Sequence, residues 1–264
     1  MTWLRTNHFY DQVARRLRGY TTERLAELRP VVAPPNPEDL FTSLVVEQLR
    51  ADDIVVDIGT GDGVWLAKNV APHVQAAIGL DYAGARLQTG LETRRGENLS
   101  NLEFVLADAR SLPISDKSVS VLVNRRGPFG DTSDPRFLTE GVRILVDGAR
   151  VLEIGIGERN AREVSEVFGR GQMLEAERRG REIDRKVTSR RQHGIEVKHM
   201  RDIATFEYFP NREALELRLL TTPTLDDFDP DAEAHLLDEV VRRCTTAHGI
   251  RLTFHRTIFI GERV

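Results

Sequence analysis

One cysteine in 264 residues, Cys244, excludes an intrachain disulfide and a cysteine-rich metal centre. His193, His199 and the other histidines fall into no metal-ligand spacing, so no metal is expected. No stretch approaches the roughly 18 apolar residues of a membrane-spanning helix, and the opening MTWLRTNHFYDQ lacks the apolar run of a signal peptide. The expectation is a cytoplasmic protein with no membrane partner. An excess of one charge is also missing: 37 basic against 41 acidic residues give a net charge of -4. A uniformly basic nucleic-acid surface is thereby excluded, while a local basic face is not. What the chain does have is 40% hydrophobic residues, enough for a sizeable core.

That hydrophobic content is ordered into an alternation. Phe9, Val13 and Leu17 share one face of a helix spanning residues 7–19, a second helix covers Thr22 to Leu28, and Leu40, Leu44 and Leu49 mark a third. Between the last two, VVAPPNPEDL is expected to be irregular, because its prolines remove donors and restrict the backbone. Short apolar runs at Ile54–Ile58, Ala76–Leu80, Leu102–Leu106, Val119–Val123 and Ala149–Ile154 then alternate with helical patterns, with a turn at Asp147-Gly148. This is the pattern of a parallel sheet covered by helices. Later come a strand over Lys198–Phe209, helices over Arg212–Leu220 and Ala232–Thr246, and a closing strand over Leu252–Ile260. The division read from this pattern is a helical cap with its leading helix over residues 1–50, then one α/β domain over 51–264 with helical additions near 158–195 and 210–248.

The most specific local feature is Val55-Val56-Asp57-Ile58-Gly59-Thr60-Gly61-Asp62-Gly63, a buried strand delivering a glycine-rich turn. Missing Cβ atoms at Gly59 and Gly61 would let a ligand approach the backbone, and Gly63 would let the next helix pack closely. A dinucleotide fingerprint asks for GxGxxG, but here the third glycine comes one residue early, and no GxxxxGK(S/T) phosphate loop occurs. Asp57 instead suits a cationic amino group, so a ligand with an amino-acid end fits better than ATP. Asp81 follows 18 residues after Gly63 at the end of the second strand, where its carboxylate is placed either to accept from ribose hydroxyls or to cap the next helix. Asp108 ends the third strand, where it is placed to accept from an adenine amino group or to cap a turn, with the Ala109 amide beside it.

VVDIGTGDG, IGLD, LADARSLP and the strand SVSVLVN together resemble the ordered motifs of class I S-adenosylmethionine-dependent methyltransferases, over roughly Phe41 to Glu158. The resemblance implies a Rossmann-like α/β methyltransferase sheet, mostly parallel with an antiparallel late strand and helical lid elements, and S-adenosylmethionine as cofactor. It places Asp57, Gly59, Thr60, Gly61 and Gly63 around the methionine portion, Asp81 with Tyr82 at the ribose, Asp108 with Ala109 at the adenine, and Asn124 at the edge of the fourth strand. One departure stands out. The acid common in the family's fourth strand is replaced by Ser120.

Acceptor contacts are expected from Asn124-Arg125-Arg126-Gly127-Pro128-Phe129-Gly130, which follows the fourth strand. Arg125 or Arg126 would bind an anionic substituent and Phe129 an apolar face, with Phe206, Tyr208 and Phe209 as a second wall. His8 and Tyr10 are the candidates for moving a proton. Residues 159–201 carry 12 basic and 7 acidic residues, whereas 226–239 carry 7 acidic and no Lys or Arg. These features give O- or N-methylation of a small molecule as the leading function. Methylation of ribosomal RNA is the alternative enzyme, since VVDIGTGDG with NLEFVLADARSLP also looks like the opening of aminoglycoside-resistance ribosomal RNA methyltransferases. A noncatalytic adenosyl-ligand-binding protein is the alternative outside enzymes. Oligomeric state is not readable from the sequence.

Overall fold

The structure is a computed structural model that describes residues 9, 12, 13, 17, 19–130, 134–171, 182–225 and 227–264, without the side chains of Thr22 and Glu182. In chain order its elements begin with α1 (Thr22–Glu27), β1 (Val31–Val32), α2 (Pro37–Gln48), β2 (Ile54–Ile58), α3 (Val64–Asn69), β3 (Ala76–Asp81) and α4 (Gly84–Gly96). Next are β4 (Leu102–Leu106), β5 (Val119–Arg125), α5 (Arg136–Ile144), β6 (Leu145–Ile156), α6 (Arg162–Phe168) and α7 (Glu182–Gln192). The chain ends with β7 (Ile195–Phe209), α8 (Arg212–Thr221), α9 (Ala234–Cys244), β8 (Thr245–Thr246) and β9 (Gly249–Arg263). No helix among the described residues is long and apolar enough to cross a membrane.

Contacts divide the chain into two compact units. The larger comprises Pro37–Gly155, Ile183–Arg201 and Thr257–Val264; the smaller comprises Met1–Asn36, Ile156–Glu182 and Asp202–Arg256. Helix α2 thus groups with the sheet, whereas the sequence reading set it apart with residues 1–50.

In the larger unit β6, β5, β2, β3 and β4 lie side by side in that order, all parallel. The first half of β7 and the second half of β9 also belong to this unit, β9 beside β6 and β7 beside β9, and one late strand runs antiparallel. Val55, Val56, Val121, Leu122 and Val123 have no accessible surface, as expected of central parallel strands covered on both faces. One core cluster joins Val56, Ile58, Leu122, Phe129, Leu138 and Ile144. Each such side chain contributes about 1.5–3 kcal/mol by leaving water.

Two local departures from the sequence reading have physical causes. Val31 and Val32, inside the proline-rich stretch expected to be irregular, pair antiparallel with Tyr208 and Glu207, an alignment that only a tertiary partner can impose. The turn at Asp147-Gly148 is absorbed into β6, whose register jumps from Val119↔Leu145 to Val121↔Arg150. Gly148, at φ 77°, supplies the left-handed residue in this bulge.

Two buried acids of this unit, Asp53 and Glu153, meet arginines. Ser120, standing where the family has an acid, donates to Asp53 Oδ1 at 2.9 Å and accepts from the Ile54 amide at 3.0 Å, and Arg150 also bonds Asp53. Arg190 of α7 is 1% exposed, bonds the fully buried Glu153 of β6 and lies 4.5 Å over the Phe259 ring. Lys186, one turn earlier, is 7% exposed. These two cations of the basic stretch are thus inside the unit and not on a wet surface.

The smaller unit packs α6, α8 and α9 around Phe168, Phe209, Leu215, Leu237, Val240 and Leu252. Asn211 caps α8 by accepting from the Ala214 amide at 2.9 Å, an interaction of about 1 kcal/mol.

Removing one member of the buried Glu153–Arg190 pair is far more costly than the pair itself is stabilising, because the other charge is left without compensation. Glu153→Ala is expected to lower the unfolding free energy by about 3–5 kcal/mol. Urea denaturation of the folded variant measures it, and a loss below about 1 kcal/mol would show that Arg190 finds another partner.

Candidate cofactor site

The parallel strands present their carboxyl ends at one edge, where an open α/β sheet receives ligands. Strand β2 delivers Asp57 there, 2% exposed, and breaks into the glycine loop. The loop amides of Gly59 and Thr60 both donate to Leu80 O, at 2.8 and 2.9 Å. Asp81, 6% exposed at the end of β3, accepts from the Gly61 amide through Oδ2 and from the Ala83 amide through Oδ1, both at 2.8 Å. Its carboxylate therefore fixes both the glycine loop and the approach to α4. A carboxylate oxygen has a further lone pair, so these bonds leave each oxygen able to accept a ribose hydroxyl as well.

Two glycines show what the loop geometry is for. Gly61, at φ 66°, would place a Cβ 2.4 Å from the Arg86 guanidinium, and Gly63, at φ 68°, would place one 2.2 Å from the Phe104 ring. The space is taken by Arg86 from the first turn of α4 and by Phe104 from β4. Close packing at Gly63, expected against the helix it starts, is thus against a strand residue.

Burial pushes the Asp57 carboxyl up to about 6, while the nearby Thr60 hydroxyl and Arg125 guanidinium pull it back. Its Oδ1 has no hydrogen-bond partner, nor have Thr60 Oγ1 and Asn124 Oδ1, all three buried. Asn124 is 1% exposed at the carboxyl end of β5. Buried polar atoms without partners are costly, and three at one strand edge mark a place that a polar ligand completes. An acceptor-only carboxylate, a hydroxyl and an amide oxygen fit the ammonium end of S-adenosylmethionine.

Beyond β4, Asp108, expected at the adenine, is engaged by a neighbour. Arg110 donates to it through Nε at 3.0 Å and Nη2 at 2.6 Å, and the Arg110 amide adds a bond at 2.9 Å. That pairing holds the Asp108 carboxyl below its usual range. Ala109, next to it, is buried, and Tyr82, next to Asp81, is half-buried. Of the residues assigned to the acceptor, Arg125 is the inward one: its side chain is 20% exposed, against 41% for Arg126. Both face Glu38 of α2, at 3.4 and 3.7 Å, and the Arg125 guanidinium lies 4.4 Å over the Trp65 ring. Arg126 adopts φ 61°.

Four of the expected acceptor contacts differ in character. Phe129 has no accessible surface and packs in the core beneath the rim, so it shapes the edge without meeting a ligand. Phe209 is likewise fully buried, in the core of the smaller unit. Phe206, 37% exposed, carries Arg251 at 4.6 Å over its ring, and Tyr208 meets the His248 ring edge-on at 6.0 Å. All three residues 206, 208 and 209 belong to the smaller unit. His8 and Tyr10 lie outside the described residues. Glu38, Trp65 and Arg86 went unmarked in the sequence; the one local signal was a cation in the first turn of α4, where the helix dipole disfavours it.

Two predictions follow from this geometry. Asp81→Ala removes two charge-assisted acceptors from buried amides, so it should lower stability by about 2–4 kcal/mol as well as weaken S-adenosylhomocysteine binding. Denaturation and calorimetry on the one variant check both; unchanged stability would separate the loop from Asp81. For Asp57 the folded carboxyl sits near 6, above its unfolded value of about 3.9. Its contribution to folding is therefore complete below about pH 4 and is lost as pH rises through 6. Asp57→Asn should accordingly raise the unfolding free energy of the ligand-free protein at pH 7.5, by on the order of 2–3 kcal/mol, with no gain at pH 4. Denaturation curves at the two pH values decide it.

The family described as methyltransferase domain matches residues 55–148, which hold every strand-end acid named above. Phthiotriol/phenolphthiotriol dimycocerosates methyltransferase of Mycobacterium leprae is 32% identical over 97 residues, 36% of this chain and 34% of its own length. Fatty-acid O-methyltransferase of Mycolicibacterium smegmatis is 31% identical over 101 residues, 37% of this chain and 35% of its own. The chain thus matches about a third of the length of these curated relatives. Among solved structures, an S-adenosylmethionine-dependent methyltransferase of Thiobacillus denitrificans in complex with S-adenosyl-L-homocysteine superposes with a TM-score of 0.56 at 17% identity, covering 89% of this chain and 94% of that one. That likeness is one of fold. Residues 55–148, about a third of the chain, thus match a methyltransferase domain, and the likeness to the solved structure extends that match as one of fold.

Proposed function

We propose that the protein transfers the methyl group of S-adenosylmethionine to a hydroxyl or amine of a small molecule. The observation that carries the reading is the set of three unpartnered buried atoms, Asp57 Oδ1, Thr60 Oγ1 and Asn124 Oδ1, around a loop that Asp81 holds in place. The cofactor supplies a methyl on a positively charged sulfur, already activated toward a nucleophile. The chain's task is then positioning: Asp57 receives the ammonium, Asp81 the ribose and Asp108 the adenine, while Arg126, the more exposed arginine of the β5 rim, meets an anionic group of the acceptor.

Two observations favour a small acceptor over RNA. The relatives of similar sequence are named for fatty acid and dimycocerosate acceptors. The basic stretch offers less to phosphate than its composition suggests: Arg190 and Lys186 are buried, and Arg159 and Arg170 pair with Asp202 and Glu233. Transfer of labelled methyl from S-adenosylmethionine to a metabolite and lipid extract, in parallel with intact ribosomal subunits, tests the proposal. Label is expected in the extract. Label confined to the subunits would replace the reading by RNA methylation, and tight cofactor binding with no transfer to either would replace it by a binding role.

A further inference from the structure

The Arg125 guanidinium differs from Arg150 and Arg190 of the larger unit in how closely it meets a carboxylate. Arg150 and Arg190 each bond a buried carboxylate, whereas Arg125 approaches Glu38 only at 3.4 Å, longer than a charge-assisted hydrogen bond of about 2.7–2.9 Å. Its Nε, buried, has no partner. Yet the side chain is held firmly. It lies flat on Trp65, whose indole Nε1 donates to Thr42 Oγ1 at 3.0 Å and whose ring stacks on Phe41 at 6.2 Å. A guanidinium fixed by its face keeps its edge of N–H donors for something else.

The sheet register says what that edge is near. Asp57 pairs with Val123 on the neighbouring strand, and Arg125 lies two residues farther along β5 on the same face, an offset of roughly 6.6 Å. Asp57 and Arg125 influence each other electrostatically, and each retains an unpartnered buried atom. A carboxylate with one open oxygen and a guanidinium with an open Nε and only a long contact to Glu38, at that separation, are complementary to a group that is itself a cation and an anion a few ångströms apart.

The geometry points to Asp57 and Arg125 as the two halves of a clamp for the zwitterionic amino-acid end of the cofactor, Asp57 taking the α-ammonium and Arg125 the α-carboxylate. This rests on the S-adenosylmethionine reading of the site and changes the role first expected of Arg125, from acceptor to cofactor. Arg126 alone of the pair is then left to the acceptor. Glu38, at the edge of the clamp, steadies Arg125 until the carboxylate arrives.

The test uses calorimetry with S-adenosylhomocysteine and with its decarboxylated form, which keeps the adenosine, sulfur and amino group. The unmodified protein is expected to bind the decarboxylated ligand at least tenfold more weakly. Arg125→Gln should lose at least tenfold in affinity for S-adenosylhomocysteine and less than twofold for the decarboxylated ligand, with Arg125→Lys intermediate. Retained binding of the decarboxylated ligand shows that the variant's site is folded. Equal losses for both ligands, or full affinity for S-adenosylhomocysteine in Arg125→Gln, would overturn the clamp. If the variant does not fold, equal affinity of the unmodified protein for the two ligands overturns it just as well. No binding of S-adenosylhomocysteine by the unmodified protein would remove the cofactor reading itself.

Discussion

A carboxylate that has left water must be paid for by its surroundings, and Asp57 carries that constraint into the centre of the sheet edge. Burial raises its proton affinity, and one oxygen has no partner. Strand β2 holds it there because Val55, Val56 and Ile58 are buried between the two helical layers, so the residue between them cannot withdraw to solvent. The glycine loop that follows is then fixed from the neighbouring strand: Leu80 O takes the Gly59 and Thr60 amides, and Asp81 takes that of Gly61. Position comes from β3 and unmet polarity from β2, and the site exists where the two adjoin.

Elsewhere the chain resolves its buried charge internally. Glu153 with Arg190 and Asp53 with Arg150 are in direct contact in the larger unit, although Glu153 Oε1 and Arg190 Nε stay without a partner, and in the smaller one Glu207, 2% exposed at its side chain, meets Arg218 at 3.1 Å. Such pairs lend specificity more than net stability, since the desolvation of two ions offsets most of their attraction. Beside those direct contacts, the looser approach of Arg125 to Glu38 at 3.4 Å and the open oxygen of Asp57 are informative. Both groups are destabilised in their charged forms by burial, and both therefore gain when a partner arrives.

Most of the sheet was legible. Ile54–Ile58 and Leu102–Leu106 stand where the sequence puts them, because short apolar runs bounded by loop residues have few other ways to bury themselves. Strand ends carried the acids at 57, 81 and 108, and spacing was enough to find them. What the sequence hid depended on tertiary neighbours. Val31–Val32 is a strand only because β7 runs beside it, Asp147-Gly148 is a bulge only because β5 continues past it, and Arg86 matters because Gly61 leaves it room. Phe129 and Phe209 show the same limit for side chains: an aromatic residue near a strand end reads equally as pocket wall or core, and here both are core.

The same hydrogen bonds that position the loop explain its choice of ligand. A phosphate-binding loop presents free backbone N–H groups, but here Gly59 and Thr60 donate to Leu80 O, Gly61 to Asp81, Gly63 to Thr60 O and Val64 to Asp62. A pyrophosphate would find those donors occupied and the Asp57 carboxylate facing it, a like charge at close range. A zwitterion meets neither obstacle. Its ammonium relieves Asp57, its carboxylate needs one guanidinium in place of a ring of amides, and it brings no net charge into a buried site. Selection against nucleoside phosphates therefore needs no added bulk; it follows from spending the loop's donors on Leu80 and Asp81 while leaving one oxygen of an acid without a partner.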